Sequence, residues 1–172
     1  MATWARFEAE APELAAAAAR LWPGIVALAR GDTPPDDRPC FAISYLASTR
    51  RDGSPRLHPF CPVLGDGRLF AAIPRSSPKG RDLRRDPRCV IHALPGPDDD
   101  ELCIRARARE DTEPTTRAML RDVVLRSSVG GMIQTISHDP LFHFDVEQVD
   151  VAKWLDVGQP GTRALRHRWR AM

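Results

Sequence analysis

The sequence predicts a mainly β (α+β) fold: a six-stranded antiparallel barrel, closed or split, with a few peripheral helices. Three observations predict it. Short apolar and β-compatible stretches recur between turn signals such as Asp52-Gly53 and "GDG" at 65–67. One stretch, 101–110, alternates Leu102, Ile104, Ala106 and Ala108 with Arg105, Arg107 and Arg109, so it has one buried and one wet face. Only one short helical segment interrupts the central run of strands.

A length of 172 residues fits one domain with a sizeable core, and 42% hydrophobic with 28% charged residues argues against long disorder. The 25 Lys plus Arg nearly balance the 23 Asp plus Glu, for a net charge of +2 with no basic tail, so no nucleic-acid partner is expected. No run approaches the roughly 18 to 20 apolar residues of a membrane span. "MATWARFEAEAPE" lacks the basic head and apolar centre of a signal peptide, so a cytoplasmic protein with no membrane contact is expected.

In chain order, "PELAAAAARLW" predicts a helix with Leu14, Ala18, Leu21 and Trp22 on one face, ended by Pro23-Gly24, and "IVALAR" a second short one. Residues 1–39 are thus expected as a helical segment packed on the barrel, 40–155 as the barrel domain and 156–172 as a C-terminal tail. Strands follow at 40–49, 54–64 and 68–74, the simplest arrangement being a three-stranded antiparallel meander. Prolines 55, 59 and 62 conflict with a regular second strand, because proline has no ladder donor. That strand should be irregular or face a ligand. A short helix begins at Ser77-Pro78, strands follow at 88–94 and 101–110, a helix capped by Thr112 covers 112–125, and a long last strand covers 141–155.

Lysine placement singles out one turn. The chain has only two lysines, Lys79 and Lys153, and Lys79 falls in the first turn of the helix that Ser77 caps. A cation there opposes the helix dipole, so an anion is expected beside it. Arg84 and Arg85, near the other end of that helix, suit the dipole without any ligand.

Other chemistry-bearing residues read as structural. Cys40, Cys61, Cys89 and Cys103 are widely spaced with no C-x-x-C pair, which argues for small core residues and against zinc or redox pairing. His92 reads as a satisfied histidine, and His138 with His143 lacks a third metal ligand, so no metal is expected. Gly130-Gly131 reads as a loop, Trp154 and Trp169 as core or interface anchors, and no G-x-S-x-G elbow supports a hydrolase.

The motif order through "YLASTRRDGSPRLHPFCPVLGDGRLFAAIPRSSPKGRDLRRDPRCVIHAL" resembles the flavin-binding, pyridoxamine 5′-phosphate oxidase-like split β-barrel family over residues 41–110, and more loosely over 140–151. Its most specific parts are D-G-x-P-R at 52–56, S-x-K at 77–79 and D-L-R-R-D-P-R at 82–88. The resemblance implies a homodimer binding FMN in two clefts between subunits, with cofactor F420 as the alternative. It places the phosphate on Ser77 and Lys79, with Arg75 and Arg81 assisting and His58 at a second-strand position often basic in the family. It sets the backbone of Ala71, Ala72 and Ile73 beside the ring, and makes Arg56 or a partner arginine a donor to the reduced ring. It implies an FMN-dependent oxidoreductase transferring hydride to or from a small organic substrate. The alternatives are an F420-dependent reductase and a non-catalytic flavin or haem binder. A second strand-two lysine found in some oxidases is replaced by Val63, and their C-terminal arginine pattern is not clear in "TRALRHRWRAM". No general acid or base is assigned.

Overall fold

The structure, a computed structural model, describes residues 2–32, 43–95, 99–126 and 131–172. Alternation between core and solvent sets its strands. β1 (Ser44–Thr49) buries Ser44, Leu46 and Ser48 and turns Tyr45 outward. β5 (Arg88–Ala93) buries Cys89, Ile91 and Ala93, and β6 (Glu101–Asp111) buries the four small or aliphatic residues expected of it. With β2 (Pro55–Phe60), β3 (Val63–Gly65), β4 (Arg68–Ala72), β7 (Leu141–Leu155) and β8 (Arg163–Arg170) they form one antiparallel sheet ordered β2-β1-β5-β6-β7-β4-β3. β4 and β8 share one edge of the long β7, pairing with its first and second halves respectively.

Connectivity makes this sheet a barrel. β2 and β3 lie at opposite ends of the strand order, yet only Cys61 and Pro62 separate them in the chain. Two residues span under about 11 Å, so the ends of the sheet must curl together. The curl encloses Leu46, Leu69, Ile91, Ile104 and Phe144, all 2% exposed or less. A register shift between Arg105 and Ala106 leaves Glu147 as the extra residue of a bulge on β7, where added twist helps the sheet turn.

Three expectations are corrected here. There are eight strands among the described residues, not six. The predicted second strand is two strands because Pro62 cannot continue the ladder: pairing with β4 stops at Val63 opposite Phe70, and the chain turns toward β2. The meander is therefore not continuous. The predicted C-terminal tail supplies β8, which alternation did not signal because arginines and a histidine occupy most of both faces and only Trp169 is buried.

Among the described residues six helices cover the barrel: α1 (Trp4–Glu10), α2 (Pro12–Leu21), α3 (Pro23–Arg30), α4 (Pro78–Arg85), α5 (Pro114–Leu125) and α6 (Gly131–His138). α1 was not expected. Thr3 caps it through a 3.2 Å bond from the Arg6 N–H, and its buried Trp4 and Phe7 stack with Trp22 and Trp169, tying both ends of the described chain to one cluster. α5 starts one residue later than predicted, with Glu113 at the N-cap, because Pro114 fits the first helical position. Gly131 opens α6 rather than lying in a loop; Gly130, Cys40 and the start of the predicted first strand lie outside the described residues. No helix among the described residues is long and apolar enough to cross a membrane.

Candidate functional site

Helix α4 lies along the β1–β2 hairpin, tied at three points. At its start the Lys79 ammonium donates to the Pro59 carbonyl at 3.0 Å; one turn on, Asp82 accepts from Arg56 Nε at 2.5 Å. At its end Arg85 donates to the Thr49 carbonyl and, at 3.1 Å, to Asp82. Residues 79, 82 and 85 recur about once per turn, so one helix face makes all three contacts. In the β1–β2 register, His58 stands opposite Leu46 and Arg56 opposite Ser48. Both β1 residues are buried, so His58 and Arg56 turn to the core-facing side at the sheet margin.

The start of α4 is suited to an anion. Ser77 is the N-cap and Pro78 follows at N1, as the sequence predicts, but the Ser77 hydroxyl makes no capping bond. The first-turn N–H groups of Lys79 and Gly80 have no acceptor within the helix. Lys79 is half-buried, and burial lowers its pKa. Burial lowers that of His58 too, followed by the charges of Lys79 and Arg56. Burial raises that of Cys61, which the ammonium partly offsets. Lys79 and Arg56 are thus held near His58, and among the described residues no carboxylate pairs with Lys79. Asp82, the nearby acid, is committed: burial pushes its carboxyl up, but hydrogen bonds from Arg56 and Arg85 hold it below the ordinary range.

Ala71, Ala72 and Ile73 run from β4 toward this turn. Ala71 and Ala72 pair with Phe142 and Leu141 of β7, and the Ile73 N–H donates to Pro140 at 2.9 Å. Among the described residues their other edge has no strand opposite, since β3 pairing ends at Phe70. Gly80 closes the packing of α4 onto this segment, because a side chain there would meet Ile73 Cγ2 at 3.2 Å. Arg56, His58 and Lys79 therefore lie together between α4 and β2, Ser77 stands two residues before Lys79 at the helix N-cap, and Arg81 lines the same recess as Arg56. Arg75 is exposed, and its charge acts on Glu110, whose carboxyl is lowered first by its hydrogen bond from Arg84. Arg84 also lies 5.3 Å over the Phe142 ring, a structural role as the sequence suggested.

Asp82, Cys61, Arg50, Arg51 and Arg85 were not singled out as site residues. The signal for Asp82 was its place in D-L-R-R-D-P-R, but its partner Arg56 is 26 residues away. Elsewhere, His92 Nδ1 lies 2.6 Å from the Ala93 carbonyl, and His143 lies between Asp111 and Asp145 at 3.4 and 3.9 Å. Cys89 is a core thiol that burial pushes up to about 12.

Ammonium, hydroxyl and helix N–H groups at the start of α4 form a donor set of the kind that suits a phosphate monoester. No protein-family profile matches the chain, and no curated protein matches it. Solved structures do. A heme binding protein from Mycobacterium smegmatis aligns over 84% of this chain with 17% identity and a TM-score of 0.57; the alignment covers 57% of that protein, so the chain spans little more than half its length. ChuZ from Campylobacter jejuni aligns over 73% of this chain and 54% of its own, with 15% identity and a TM-score of 0.58. A proposed pyridoxamine 5′-phosphate oxidase from Listeria innocua aligns over 74% and 94%, with 17% identity and a TM-score of 0.51. Barrel closure, strand order and these alignments agree that the chain has the split β-barrel fold of the pyridoxamine 5′-phosphate oxidase-like proteins.

Proposed function

We propose that the chain binds FMN with its phosphate at the start of α4 and serves as a flavin-dependent oxidoreductase acting on a small organic substrate. The observation that carries this reading is Lys79, a half-buried ammonium with one hydrogen bond to a carbonyl, beside an uncapped Ser77 hydroxyl. FMN, when bound, supplies the hydride chemistry through its ring. Ser77, Lys79 and the first-turn N–H groups hold the phosphate; His58 adds a donor from β2; Asp82 keeps Arg56 in place and spends its Nε. The unpaired edge of 71–73 offers backbone beside the ring. Acceleration of a two-substrate redox reaction by the loaded protein separates an enzyme from a flavin store.

The same reading includes a homodimer. The outward face of β2, β1 and β5 carries Leu57 at 63% and Tyr45 at 39% exposure, and the register sets Ala47 between Leu57 and Val90. An apolar sheet face beside an open edge strand is suited to burial by a second copy, which would complete the cofactor cleft.

Lys79→Ala tests the cofactor reading. A charge-assisted hydrogen bond contributes about 1.5 to 3 kcal/mol, so FMN affinity in a fluorescence titration should fall about ten- to hundredfold. Riboflavin, which has the ring without the phosphate, should bind the wild type more weakly than FMN and be little affected by the substitution. Equal FMN affinity for both proteins, or equal losses for FMN and riboflavin, contradicts the assignment.

A further inference from the structure

We propose that the ligand of this site carries a second anionic group, on the order of 10 Å from the one at Lys79, seated in an arginine-lined recess at the β1–β2 turn. The inference rests on the reading of Lys79 as an anion ligand and extends it. The recess has a volume of about 580 Å³ and is walled by Arg50, Arg51, Arg56, Arg81 and Arg85 with two aspartates. Both aspartates are committed. Asp82 takes Arg56 and Arg85, and Asp52 accepts the Ser54 N–H at 3.0 Å and its hydroxyl at 2.7 Å. Five guanidinium groups therefore face two carboxylates.

Position adds to charge. Arg81 is held by the Ser76 carbonyl at 2.8 Å, a contact that orients a guanidinium without neutralising it, while Arg85 is held by the Thr49 carbonyl and shares Asp82 with Arg56. Arg50 and Arg51 make no salt bridge among the described residues, and the charge of Arg50 acts on Asp52 only after the two Ser54 hydrogen bonds that hold that carboxylate. The arginines are thus an oriented cation set, the arrangement that recognises carboxylate or phosphate oxygens.

Separation from Lys79 follows from the three ties. Lys79 meets β2 at Pro59, while Arg85 reaches Thr49, which is paired with Pro55 at the other end of β2. Four residues of strand span about 13 Å and six residues of helix about 9 Å. One phosphate cannot occupy both poles. The second anion belongs either to a cofactor extended beyond its phosphate or to the substrate.

Pyrophosphate is the probe, titrated by calorimetry into wild type and Arg50→Ala/Arg51→Ala, each apo and FMN-loaded. Both substituted residues are exposed near a turn, so the fold should be kept. The expected result is a loss of pyrophosphate affinity of about tenfold or more in the double variant, with FMN affinity changed less than about twofold. If pyrophosphate binds FMN-loaded and apo protein alike, the second anion is the substrate's. If it binds only apo protein, while F420, whose tail continues past the phosphate into carboxylates, loses affinity in the double variant, the anion is the cofactor's. Equal pyrophosphate affinity in wild type and double variant overturns the proposal even where FMN still depends on Lys79. Arginine-dependent pyrophosphate binding without any FMN binding keeps the recess and removes the flavin reading.

Discussion

Asp82 is 4% exposed and accepts from two guanidinium groups, Arg56 at 2.5 Å and Arg85 at 3.1 Å. Removing Asp82 leaves Arg56 and Arg85, 20% and 38% exposed, without their shared acceptor, so Asp82→Ala should lower unfolding free energy by about 1 to 3 kcal/mol in denaturant titration. Its acid dependence has a definite sign. The folded carboxyl has a pKa below its ordinary value, so the stability it contributes is present above about pH 4 and is lost as pH falls through the lowered folded value. Asp82→Asn should flatten the stability profile in that acid window; an unchanged profile would show that the pair contributes little. Ser77 and Lys79 were visible from the helix start and the scarcity of lysine, while Arg56 and His58 came from the family resemblance along the second strand. Asp82 and Cys61 were not legible as site residues, because their partners come from contacts across the fold rather than from neighbours in the chain.

Helix α4 and the strands β5, β6 and β7 were legible as elements for physical reasons: a Ser-Pro start, alternation against solvent, and an apolar run bounded by turns. β8 was not. It gains its place from pairing along eight positions of β7 and from Trp169, which packs 5.3 Å from Phe7 and donates its indole N–H to Glu10 at 3.1 Å. The sequence of β8 carries almost no apolar alternation, so tertiary contact decides its state. Trp169→Ala should therefore cost about 3 to 5 kcal/mol and loosen β8 and α1 together. Hydrogen exchange checks this: amides of 163–170 and 4–10 should lose protection in step, whereas fraying confined to β8 would separate the two elements.

The split of the barrel at Cys61-Pro62 shapes the whole molecule. It frees one edge of 71–73, places Lys79 beside β2, and leaves β2 as an edge strand whose neighbours present Tyr45 and Leu57 outward. Site and apolar face lie on the two sides of the same hairpin and meet only at its open β2 edge, so the proposed dimer reaches the proposed cofactor cleft where a second copy seated on that face also wraps this edge. A partner covering that face would shelter a flavin ring that one chain leaves open to water. Native mass spectrometry of protein saturated with FMN is the direct test. The expected species is two chains of 19.1 kDa with two FMN molecules, while a riboflavin-saturated sample retains fewer. A monomer that retains FMN, or a dimer that takes none, contradicts the shared phosphate-anchored cleft.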